Sequence, residues 1–135
     1  MSPWGNSFLL RSAFAQSGLD KILQDYSKQE NKKDFIYAGF SAGICILAPT
    51  LKGIDKMDHP NLVREIYGTE IIWKGLGIIS YSIVPHYQSD HKETYLAEVA
   101  VNYLKENNLP YKTLKDGEVI IEDTIYSKEG KLKQI

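Results

Sequence analysis

Gly39-Phe40-Ser41-Ala42-Gly43 is a G-x-S-x-G, a spacing that can arm a serine. The run before it, Phe35-Ile36-Tyr37-Ala38, is apolar and β-prone, and the small, apolar residues after it suit the first turns of a buried helix. Strand, sharp turn and helix in that order make a nucleophile elbow. A serine on so tight a turn takes strained backbone angles, so the residues two before and two after it must be small. Its Oγ then stands clear at the carboxyl edge of the sheet. The next backbone N–H, that of Ala42, can point at an oxyanion. Short motifs of this kind also arise by chance; the β-type run before and the helical run after give this one its weight.

A serine nucleophile needs a base within hydrogen-bond reach and an acid to orient that base. The chain has three histidines. His86 follows the β-like run ending in Val84-Pro85, where an α/β sheet presents catalytic groups, and it is the candidate base. His59 stands beside Pro60 in a polar loop and suits a solvent-exposed role. His91 belongs to His91-Lys92-Glu93, an H-x-E that could pair base and acid, but Asp90 and Glu93 there also suit helix capping and first-turn charge. Four acids could orient the base. Asp55 and Asp58 lie in the loop downstream of Ser41, with Asp55 slightly ahead; Asp116 and Glu118 lie in a turn that Asp116-Gly117 explains by itself.

The elements that must hold these residues alternate between helix and strand. Asn6 or Ser7 can cap a helix that Ser17-Gly18 breaks, and a second helix covers Leu19 to about Tyr26. A polar, Lys-rich connector leads to the elbow strand, and helix 42–47 ends at Pro49. Residues 50–74 read as a long loop, 75–79 as a short buried strand, and 91–107 as the longest helix. A strand-like stretch at 111–114 precedes a terminal β-hairpin, 119–122 and 124–127, across the Asp-Gly turn. This alternation implies one α/β domain over residues 1–135, a sheet with helices on its faces.

Composition narrows the classes. At 135 residues, 43% hydrophobic and 24% charged, the chain can bury one real core. A net charge of −1, with two arginines and scattered lysines, disfavours nucleic acid or a membrane surface as partner. No apolar run approaches the roughly 18 residues of a membrane span, and the N-terminus shows no signal-peptide pattern. The single cysteine, Cys45, permits no intrachain disulfide and is expected to be a buried structural thiol in a cytoplasmic protein.

Together, Gly39-Phe40-Ser41-Ala42-Gly43, Val84-Pro85-His86-Tyr87 and Leu114-Lys115-Asp116-Gly117-Glu118 resemble the marker segments of the peptidase E (alpha-aspartyl dipeptidase, S51) family. Gly5-Asn6-Ser7-Phe8 is similar to its G-G-N-T-F stretch, with Trp4-Gly5 in place of the paired glycines. The resemblance implies a three-layer α/β sandwich like class I glutamine amidotransferases, flavodoxin-like and here partial, lacking the family's N-terminal strands. It implies a cofactor-independent, metal-free serine dipeptidase acting on small peptides, typically with an N-terminal aspartate. By the same resemblance Ser41 is the nucleophile, His86 the base and Asp55 the orienting acid, with Asp58 in reserve. Backbone N–H groups of Ala42 and the Gly5 region form the oxyanion hole. Strands missing from the sheet would leave an apolar edge, so a homo-oligomer or a complementing N-terminal fragment is expected. A catalytically degenerate remnant serving as a binding module is the alternative.

Overall fold

The computed structural model of the chain describes residues 5–29 and 36–134, with the side chains of 131–134 excepted. Trp4 and Phe35, singled out above, lie outside the described residues. Helix α1 (Ser7–Ser17) begins where the Asn6 side chain accepts the N–H groups of Phe8 and Leu9. It stops at Gly18, whose φ of 78° is the left-handed conformation that ends helices. Helix α2 (Leu19–Lys28) turns back against it. Arg11 and Asp20 pair at 3.0 Å across this corner, both buried, and Arg11 Nε donates to the Lys74 carbonyl.

Helix α3 (Ala42–Cys45) is shorter than the 42–47 expected. The backbone after it is taken up by residues 76–78: Leu76, Gly77 and Ile78 donate to the carbonyls of Ile46, Ala48 and Leu47. Residues 75–79 are therefore a strap over the end of the elbow helix and not the strand their apolar pattern suggested. A Cβ at Gly75 would collide with the Ala48 carbonyl oxygen, so the approach requires glycine. The stretch 50–74 is more ordered than expected. It holds a 3-10 turn at Ile54–Lys56 and helix α4 (Leu62–Tyr67). Ile46, Leu51, Ile54 and Val63 are all but fully buried here with Phe8, each contributing about 1.5–3 kcal/mol of burial.

Strand β1 (Ser82–Val84) pairs in parallel with β2 (Tyr111–Thr113), Ser82 opposite Tyr111 and Val84 opposite Thr113. Helix α5 (Thr94–Glu106) joins them and buries Ala97, Ala100, Val101 and Leu104 against Val84 and Met57. It starts three residues later than expected, because Thr94 Oγ1 closes a turn within reach of the His86 and Ser89 carbonyls. Strands β3 (Val119–Ile121), β4 (Thr124–Ser127) and β5 (Gly130–Gln134) form an antiparallel sheet, the third strand being additional to the sequence reading. Tyr81, Ile83, Leu114 and Ile125 pack this sheet onto the β1–β2 pair. The segment 36–40 before Ser41 is not a strand, and Ile36 and Phe40 are 91% and 87% exposed.

Candidate active site

Ser41 sits at φ 50° and ψ −120°, a region costly for any side-chain-bearing residue, by about 1–3 kcal/mol. The surrounding structure enforces this turn. Gly43 N donates to the Phe40 carbonyl at 2.9 Å, and Ile44 and Cys45 donate to the Ser41 carbonyl. Tyr37 Oη donates to the Gly43 carbonyl at 2.6 Å, and burial raises the Tyr37 phenol above its ordinary range. Gly39 must be glycine: a Cβ there would lie 2.9 Å from the Gly43 oxygen and 3.1 Å from the Tyr37 ring. The glycine two residues before Ser41 thus has the steric reason the motif demands, whereas a Cβ at Gly43 would meet only the Tyr37 hydroxyl, at 3.6 Å. Among the described residues, no acceptor takes the Ala42 N–H.

The two parallel strands deliver the other groups. His86 follows β1 by way of Pro85, at φ 61°, and Asp116 follows β2 by way of Leu114. Because β1 and β2 are parallel neighbours, their carboxyl ends place the two residues side by side. His86 Nδ1 lies 2.7 Å from Asp116 Oδ1. The Asp116 loop is held by its own N–H donating to Ser89 Oγ at 2.8 Å, and by Tyr87 N donating to the Leu114 carbonyl. With Asp116 ionised, Nδ1 carries the proton and Nε2 presents a lone pair. Glu93 Oε2 stands 3.8 Å from Nε2, and the His91 ring stacks on His86 at 3.9 Å.

Ser41, His86 and Asp116 line one open cavity of about 750 Å³, with Tyr37, Ile83 and Lys115 among its walls. On the far side, Ser41, Ala42, Asp58, His86 and Glu93 surround a second space with room for about one water.

Asp55, the acid favoured from sequence, is not at His86. Its Oδ1 accepts the Gly53 N–H at 2.8 Å and its Oδ2 faces Lys56 at 3.4 Å, so its carboxylate is committed to its own turn. Asp58, the reserve, is buried behind the site. Its Oδ2 accepts the N–H and hydroxyl of Ser7 at 2.8 and 2.6 Å. Burial pushes its carboxyl above the ordinary range, although the Ser7 hydrogen bonds pull it down and the Glu93 charge adds to the rise. Asp116, which turn chemistry seemed to explain, is the acid in contact with His86. Its contact spans 30 positions of sequence, and only its place after the second parallel strand could have signalled it. Gly5 lines neither cavity. His59 lends its carbonyl to Asn6 Nδ2, and Arg64 pairs with Glu70 at 3.1 Å, away from the site. Cys45 is buried, its thiol pushed up to about 12 mainly by burial, and it donates weakly to the Ile83 carbonyl.

The fold has a solved counterpart. The crystal structure of a candidate peptidase E protein from Listeria monocytogenes EGD-e is similar with a TM-score of 0.63 at 19% identity, over 96% of this chain. The chain spans 56% of the length of that protein. No curated protein matches the chain in sequence. The family model of peptidase family S51 matches residues 4–126, nearly the whole chain and all of the site described above. The chain belongs to peptidase family S51.

Proposed function

We propose that the chain is a serine peptidase of small peptides, with Ser41 as nucleophile, His86 as base and Asp116 as the acid that orients it. The observation that carries this reading is the 2.7 Å contact of His86 Nδ1 with Asp116 beside a serine held at φ 50°. In this mechanism Nε2 takes the Ser41 proton as Oγ attacks the peptide carbonyl, then gives it to the leaving amine. Asp116 fixes the tautomer and stabilises the imidazolium, and the Glu93 carboxylate at 3.8 Å adds to that stabilisation. The Ala42 N–H faces the oxyanion.

Four carboxylates (Asp116, Glu118, Glu122, Asp123) line the open cavity with one lysine, Lys115. That rim suits the N-terminal ammonium of a short peptide, and Lys115 is the cation that would meet an aspartate side chain. Preference for an N-terminal aspartate, a cytoplasmic location and a complete three-layer sandwich belong to the same reading. So does a partner. Exposed Ile36 and Phe40, and a parallel sheet of only two strands among the described residues, would be covered by a second copy or a complementing fragment. A monodisperse 15.3 kDa monomer in sedimentation would contradict that part.

The test is hydrolysis of aminoacyl p-nitroanilides, the aspartyl one included, by the chain and by Ser41→Ala. Turnover lost in the variant supports the reading. No turnover by a folded wild-type chain contradicts it and favours the non-catalytic alternative.

A further inference from the structure

His86, His91 and Glu93 offer one ligand atom each, and these three atoms lie within 4.8 Å of one another. The groups are half-buried, neither exposed to full hydration nor sealed off. Two imidazoles and one carboxylate are a zinc-type donor set that leaves a fourth position open. We propose that these residues form a binding site for a divalent transition-metal ion, zinc being the best match, and that occupancy silences the serine by capturing the base. The silencing half rests on the assignment of His86 as base; the binding half does not.

The site is partly built. His86 Nδ1 is turned to Asp116 at 2.7 Å, so the Nε2 lone pair is free to bind a cation. A histidine that donates its second nitrogen to a carboxylate is the usual outer support of a metal ligand. Glu93 Oε2 already stands 3.8 Å from that Nε2. Ligands of one tetrahedral zinc ion sit about 3.3 Å apart when each is about 2.0–2.1 Å from the metal, so this pair needs only a small contraction. His91 is the adjustable member. Its ring lies 3.9 Å from that of His86 at an interplanar angle of 12°. Imidazole lone pairs lie in the ring plane, and two nearly parallel stacked rings cannot aim both at one ion. The His91 ring must therefore turn, giving up the Glu93 N–H that Nδ1 accepts at 3.1 Å, so the site closes upon binding. An imidazole forced to rearrange yields modest affinity, as suits reversible control. Bound there, the metal occupies the nitrogen that would receive the Ser41 proton. No bond to substrate forms and no electron moves; the inhibition is competition between the metal and a proton for one lone pair.

The experiment uses the untagged Ser41→Ala chain, so that binding is read apart from catalysis. Zn²⁺ is titrated by calorimetry, and Co²⁺ by visible absorption, where four-coordinate Co²⁺ gives intense bands. One ion per chain is expected, weakened at least 10-fold by His91→Ala and by Glu93→Gln, each checked for native circular dichroism. No stoichiometric binding, or binding unchanged in His91→Ala, overturns the site. In the active chain, Zn²⁺ should inhibit over the same range in which it binds, with recovery on chelation. Inhibition that persists unchanged in His91→Ala would overturn the silencing role.

Discussion

Asp116→Asn is the most informative single change in the site. Asp116 Oδ1 lies 2.7 Å from His86 Nδ1, and the carboxylate can only accept, so it selects the tautomer with a proton on Nδ1. An asparagine at the same place can turn its NH₂ toward Nδ1, favouring the opposite tautomer, in which Nε2 carries the proton and cannot take one from Ser41. In buried triads this exchange costs on the order of 10⁴ in kcat. The Asp116 side chain is 45% exposed, so water can compete for Nδ1, and a smaller loss of about 10²–10³ is expected. At 1.36 kcal/mol per tenfold, that is about 3–4 kcal/mol of transition-state stabilisation. Steady-state hydrolysis of the best p-nitroanilide reads it, with kcat falling and KM nearly unchanged. Asp55→Asn is the control and should stay within about twofold of wild type, since Asp55 serves its own turn. Full activity in Asp116→Asn, or an equal loss in Asp55→Asn, would refute the assignment.

Other outcomes follow from the same contacts. Gly39→Ala drives a Cβ to 2.9 Å from the Gly43 oxygen and should cost about 1–3 kcal/mol, lowering Tm by about 4–12 °C in a thermal melt. Asp58 has its folded pKa raised, so its contribution to stability falls as pH rises from the unfolded carboxylate value through the folded one. Asp58→Asn can keep both Ser7 hydrogen bonds without that titration, so urea unfolding should show the variant gaining on wild type from pH 4 to pH 7; a constant difference would contradict the burial argument. Cys45, buried and with its thiol pushed up to about 12, should react with a thiol reagent only as fast as the chain unfolds, a rate that rises with added urea.

Local chemistry made α1, α2 and α5 readable: Asn6 caps, Gly18 breaks, and a helical stripe that includes Ala100 and Leu104, both buried, marks the inner face of α5. The tight turn at Ser41 was readable because Gly39 answers to sterics within five residues, against the Gly43 oxygen, although the segment before it is not the strand expected. What sequence could not give depends on distant partners. Residues 75–79 look like a strand, yet their backbone bonds go to the end of the elbow helix, a pairing that follows from where the chain returns. Helix α4 is only six residues long, too short for periodicity to show. Asp116 ranks behind Asp55 in the sequence because Asp-Gly is sufficient to explain a turn, while its contact with His86 is 30 residues away.

The central claim is that Ser41 is an activated nucleophile. Treatment with a fluorophosphonate followed by intact-mass and peptide mass spectrometry tests it without any assumption about substrate. The account predicts one adduct per chain, on Ser41, absent in Ser41→Ala and strongly slowed in His86→Ala. A folded chain that takes no label, or takes it elsewhere and equally in both variants, would contradict it.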